Sequence, residues 1–183
     1  MLNLLAAFGA CGVIVLLVGE DPWEALGLLA AGAFGSVEAV SYTLFHATSF
    51  IFTGLAVAVA FQCGLFNIGG EGQALIGGLG LALVCLHLDF LPAPLLIPLA
   101  IAGAALFGAA WAFVPAYLLV RRGSHIVITT IMFNFIAASV IVYLLVNVMS
   151  PAGSMQPETR GFAEHARLPY LYELAGAWGI ELP

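Results

Sequence analysis

The sequence predicts an all-α protein, a polytopic transmembrane helix bundle with about five spans in this chain. Three observations predict it. Hydrophobic residues make up 63% of the 183 residues and charged residues 8%, whereas soluble domains run near about 45–50% and about 25%. The mean hydropathy is +1.12. The apolar residues also fall into runs close to the roughly 20 residues that a helix needs to cross a bilayer core. Backbone inside hydrocarbon must satisfy its own hydrogen bonds, so such runs default to helices. The same composition excludes a disordered chain and a soluble enzyme domain of ordinary surface. The basic residues are 4 arginines against 10 acidic residues, a net charge of −6, so there is no basic footprint and no nucleic-acid partner.

The first span is 2–19, closed by Glu20-Asp21-Pro22, where charge and a proline stop it. It has no basic n-region, since the first arginine is Arg121, and is therefore a membrane helix rather than a signal peptide. Residues 20–41, rich in Gly and Ala but carrying Glu24 and Glu38, suit a short interfacial helix and a loop. Spans two and three are 42–61 and 70–88, the latter stopping at Asp89 with Pro92 and Pro94 beyond. The fourth, 95–120, has Pro98 in its first turn and Pro115 as a kink. The fifth is 126–149. Residues 1–149 thus form the membrane region. From Ser150 the chain turns polar, and 150–183 is expected to be an extracytoplasmic loop at which the chain is truncated.

Arg121 and Arg122 form the short basic interhelical loop and belong in the cytoplasm, which puts the N-terminus inside and the tail outside. Helices in lipid associate through close backbone approach and interhelical hydrogen bonds. Two stripes of small residues at a spacing of four offer that approach. They are Gly70, Ala74, Gly78 and Ala82 in span three, and Ala100, Ala104, Gly108, Ala112 and Ala116 in span four. Cys11, Cys63 and Cys85 lie in or beside apolar runs without paired spacing and serve as small packing residues.

Chemistry concentrates at Gln62-Cys63-Gly64-Leu65-Phe66-Asn67-Ile68-Gly69-Gly70-Glu71-Gly72-Gln73, where glycines and polar side chains interrupt an apolar sequence. Two interpretations stay open. In one, Asn67 is the N-cap of a tight helix–turn–helix and Glu71 sits in its first turn. In the other, a helix breaks inside the membrane, and Asn67, Gly69, Gly70, Glu71 and Gln73 line a polar route. Thr130 and Asn134 share a face of span five, suited either to interhelical bonding or to a translocation contact. His46, His87, His125 and His165 are scattered, and the chain has no HExxH, phosphate-binding loop or nucleophile motif. No catalytic residue, metal or cofactor is expected.

Gly64 to Gln73 followed by Gly77-Gly78 strongly resembles the GLFNIGxEGQ…GA signature of bacterial ABC importer permeases. The branch is the one serving nucleosides and simple sugars, within the group that includes ribose and branched-chain amino acid permeases. Pro22-Trp23-Glu24-Ala25 with Gly32-Ala33-Phe34-Gly35-Ser36 is similar to the family's external segment, and Thr53-Gly54-Leu55-Ala56-Val57-Ala58 to its TGLAVA helix. Gly123 to Asn134 resembles GVNEVIxTLMLN, departing at Ser124-His125-Ile126, where an Asn-Glu pair is usual; Gly70 stands where Ala is usual.

The resemblance implies an N-terminal permease half in the bacterial cytoplasmic (inner) membrane, part of the path for a nucleoside or simple sugar. It also implies a second permease subunit, a cytoplasmic ATP-binding subunit that hydrolyses the nucleotide, an extracytoplasmic substrate-binding lipoprotein, and surrounding membrane lipid. From the residues alone, the alternative is an ion-coupled secondary transporter of a small polar solute, using Glu71 and a broken helix in the same manner.

Overall fold

The structure is a computed structural model that describes residues 2–170. Helix makes up 76% of it, and the described residues contain no strand. The helices are α1 (Leu2–Val18), α2 (Pro22–Phe34), α3 (Val37–Gln62), α4 (Gly70–His87), α5 (Ala93–Arg122) and α6 (Ile126–Asn147), with a single 3-10 turn at Glu164–Ala166. Helices α3 to α6 are each long and apolar enough to cross a membrane, and α1 with α2 make a bent pair that gives up to five spans. The chain divides into two compact units, residues 2–52 and 53–170.

In the first unit, Asp21 ends one helix and starts the next. Its Oδ1 accepts the Trp23 N–H at 2.8 Å, and Pro22 takes the first helical position, where no N–H is required. Helices α1 and α2 meet there at a bend of 116°. Residues 20–41, taken from sequence as an interfacial helix plus loop, hold the 13-residue α2, a bend at Gly35-Ser36, and then the first turns of α3. Helix α3 begins at Val37, ahead of the apolar run that starts at Tyr42.

The second unit is built around α4, which packs antiparallel along α5 and also against α6. Its core is Ile76, Cys85, Leu86, Leu96, Ala100 and Ala137, with Thr130 as a buried polar residue. Glycines set the α4–α5 distance. A Cβ on Gly80 would lie 2.5 Å from the Gly103 carbonyl oxygen, and one on Gly77 would lie 3.2 Å from that of Ala104. The expected stripe Gly70, Ala74, Gly78, Ala82 is therefore out of register. Gly78 and Ala74 are exposed, whereas Gly72, Ile76, Gly77 and Gly80 are buried. In α5, Ala100, Ala104 and Gly108 do face inward, as expected.

Helix α5 starts at Ala93, so Pro94 takes the permissive first turn and Pro98 falls inside the helix along with Pro115. It ends on Gly123 at φ +65°, whose N–H returns to Leu119 O at 3.0 Å, an αL stop suited to glycine. Beyond α6, the polar segment folds back over the C-terminal end of α4. Arg160 donates to the Leu86 carbonyl and to Asp89 Oδ2 (3.1 Å), placing a cation at a helix C-terminus. The His165 ring bonds the Asp89 carbonyl at 2.9 Å. Residues 171–183, the rest of the expected loop, lie outside the described residues.

Candidate functional site

The polar interruption forms a turn between α3 and α4 that α6 holds in place. Helix α3 stops because Gly64 adopts φ +74°, which lets Leu65 N–H reach back to Ala60 O at 2.9 Å. The chain stays irregular until Gly69, and α4 opens there without a side-chain cap of its own. The expectation that Asn67 caps α4 is corrected by this geometry. Asn67 sits two residues too early, and its Oδ1 accepts the Gly69 N–H at 2.8 Å, closing a short side-chain turn. Its amide also meets that of Gln73 at 3.5 Å.

The cap comes instead from another helix. Asn134 Oδ1 accepts the Gly72 N–H at 2.9 Å, while its Nδ2 donates to Ile68 O at 3.0 Å, so one side-chain amide grips the chain on both sides of the α4 start. Thr130 adds a third cross-link. Its hydroxyl donates back to the Ile126 carbonyl (2.8 Å) and its Oγ1 accepts the Ile68 N–H at 3.4 Å. Thr130 is 1% exposed, so its hydroxyl is satisfied entirely by protein. Interhelical bonds of this kind contribute about 0.6 kcal/mol each in membrane proteins, and three together fix a register more than they supply stability.

Close approach completes the arrangement. A Cβ on Gly69 would lie 2.9 Å from Asn67 Oδ1 and 3.1 Å from Thr130 Cβ; one on Gly72 would lie 3.0 Å from Asn134 Cα and 3.1 Å from Phe133 O. Of the residues expected at the site, Asn67, Gly69, Gln73, Thr130 and Asn134 come together. Gly70 and Glu71 do not. Glu71 is exposed, and an added Cβ at Gly70 would meet nothing within 4 Å. Three participants escaped notice in the sequence. Gly72 stood inside the motif without an assigned role, and only the contact with Asn134 reveals one. Phe133, whose carbonyl faces Gly72, packs its ring against Trp111 of α5, with centroids 5.3 Å apart at 59°. Phe133 is the residue before Asn134, and nothing in the spacing of Trp111 singles it out.

Two helices measure how far along the bundle the break lies. Gln73 is level with Gly108, since a Cβ there would lie 3.3 Å from the Gln73 carbonyl oxygen. From Gly108 to Arg122 is about 21 Å of helix at 1.5 Å per residue, and α4 begins about 4.5 Å beyond Gln73. The start of α4 therefore stops about 16 Å short of Arg122, a little over a third of the way along the 30-residue α5 from that end. Along α6, Asn134 lies about 12 Å from the first residue, Ile126.

Comparison with known proteins identifies the family. A family described as branched-chain amino acid transport system / permease component matches residues 39–173. A guanosine ABC transporter permease of Bacillus subtilis is 36% identical over 176 residues, 95% of this chain and 49% of the relative. A glucose ABC transporter permease of Haloferax volcanii is 34% identical over 171 residues, 93% of this chain and 45% of the relative. A nucleoside ABC transporter permease of Lactococcus lactis is 36% identical over 136 residues, 74% of this chain and 37% of the relative. The chain spans about half the length of the first two and less of the third. No solved structure matches it.

Proposed function

The chain belongs to the branched-chain amino acid transport permease family, and from that premise we propose that it is a membrane-spanning subunit of an ATP-binding cassette importer, forming part of the path for a nucleoside or simple sugar. The observation that carries the proposal is the break before α4, pinned by Asn134 and Thr130 about 16 Å from the Arg122 end of α5. A hydrocarbon core is about 30 Å thick, and α5 is about 45 Å long. A bilayer centred on α5 would therefore hold the break inside the core. Irregular backbone is tolerated at that depth only where protein buries it or a watery cavity borders it. The α6 bonds satisfy one side of the turn. The other side, with Gly70 and Glu71, is left for the solute path.

The group set suits a neutral, hydroxylated solute. Thr130 and Asn134 spend their groups on the turn, whereas the uncharged amides of Asn67 and Gln73, which meet only at 3.5 Å, keep donors for a solute. The relatives named for guanosine, nucleosides and glucose support that class. The sequence carries no phosphate-binding loop motif. A cytoplasmic ATP-binding subunit would hydrolyse nucleotide, a second permease subunit would complete the pore, and an extracytoplasmic lipoprotein would deliver solute. ATP turnover elsewhere then biases which face of the path is open. The ion-coupled alternative is not favoured, because the relatives that match are permeases of ABC transporters.

Uptake by the complete transporter tests the proposal. Asn67→Ala and Glu71→Gln are each expected to lower uptake fivefold or more at unchanged expression and assembly. Wild-type uptake in both variants would confine these residues to a structural role.

A further inference from the structure

Among the described residues, two buried side-chain polar atoms lack a hydrogen-bond partner, Trp111 Nε1 and Ser124 Oγ. Ser124 belongs to the turn between α5 and α6. Trp111 lies well inside α5, one turn past Gly108, on the face that carries Gly108 against the Gln73 carbonyl. That turn is level with the start of α4. The Trp111 ring also rests against Phe133, next to the Asn134 that caps α4. The indole N–H is thus a donor sealed from solvent beside the polar break. Buried donors are nearly always paired, and one left unpaired destabilises the packing that seals it. Ordinary packing does not explain it: phenylalanine would fill much of the same space without a donor to satisfy. The atom has no solvent access in this arrangement, so a partner reaches it only when the packing around the Trp111 ring, which includes Phe133 of α6, opens.

We propose that Trp111 is a solute-contacting specificity residue of the path, its indole N–H donating to an acceptor oxygen of a neutral, hydroxylated solute at the α4 break. This rests on the proposal that the break borders the path. It adds a neutral donor from α5 to the amide of Gln73 on α4. It also gives the unpaired donor a role in switching. The packing seen here leaves it unsatisfied, and a state holding solute satisfies it, so solute favours the opened packing.

The test uses the complete transporter in membrane vesicles, with tritiated guanosine and radiolabelled glucose in parallel. The solute that the wild type accumulates serves as the probe. Trp111→Phe keeps the contact with Phe133 and removes the donor. The expected result is a KM about tenfold higher, the equivalent of one hydrogen bond, with a thermal midpoint unchanged or raised because an unsatisfied donor is gone. Trp111→His returns a ring N–H and is expected to bring KM to within about threefold of wild type. An unchanged KM in Trp111→Phe overturns the proposal. So does a lowered thermal midpoint, which would mark a donor bonded within the assembled transporter. Asn134→Ala, measured alongside, separates the two levels. If it raises KM while Trp111→Phe does not, only the role of Trp111 fails; if neither does, the role of the break fails as well.

Discussion

Asn134 does for α4 what no residue of α4 does for itself. Its amide oxygen takes the Gly72 N–H and its amide nitrogen the Ile68 carbonyl, so a helix start is defined by a side chain 62 residues away. The i, i+4 spacing of Thr130 and Asn134 was legible in the sequence as one polar face, and so was the interruption around Asn67. Their meeting was not, because no local pattern records which N–H a distant amide will cap. The same blindness placed the cap on Asn67, a residue type that satisfies short turns and helix starts equally well. Two glycine substitutions separate close approach from backbone freedom. Gly72→Ala drives a methyl against the Asn134 backbone and the Phe133 carbonyl and is expected to destabilise the folded permease by about 1–3 kcal/mol. Gly70→Ala meets open space and should be neutral, or more stable by up to about 1 kcal/mol. Thermal unfolding of the purified protein in detergent measures both, and equal loss in the two variants would remove the contact argument.

At the scale of elements, α4 and α5 are held by backbone contact where side chains are absent. Gly80 faces Gly103, and Gly77 faces Ala104. A spacing of four predicted such a stripe correctly for Ala100, Ala104 and Gly108 of α5, but Ala116 is exposed, and the spacing chose the wrong face of α4. The reason is compositional: glycines and alanines occur on both faces of α4, so periodicity alone has no apolar bulk from which to fix the phase. The helix boundaries were mostly visible as apolar runs broken by Pro, Gly or charge. The early start of α5 was not, because Pro94 and Pro98 resemble two candidate first turns and only one is used. The register gives a contrast to measure. Gly80→Ala, whose added carbon would crowd the Gly103 carbonyl and the Phe107 ring, is expected to lower the thermal midpoint by several degrees. Gly78→Leu, on the exposed face, should leave packing within the chain intact. A larger effect from Gly78→Leu would mean that α4 turns its other face to α5.

For the whole molecule, composition alone established an all-helical, multi-pass membrane protein. The motif around Asn67–Gln73 was visible as unusual in an oily sequence, but its position along the bundle was not, because that depends on which residues of α5 and α6 lie level with it. Gln73 beside Gly108 and Gly72 beside Asn134 supply that information. They place the start of α4 far from the Arg121-Arg122 end of the bundle, where a sealed turn and a polar passage differ in one respect, contact with water. Cysteines placed at Asn67, Gly70 and Glu71 in a background freed of Cys11, Cys63 and Cys85, within the complete transporter, report that contact through a small water-soluble maleimide. Modification is expected at Gly70 and Glu71, slowed at least threefold by transported solute, and little at Asn67, whose side chain is tied to Gly69 and Gln73. No modification at either Gly70 or Glu71, in a transporter that still takes up solute, would contradict a polar passage there.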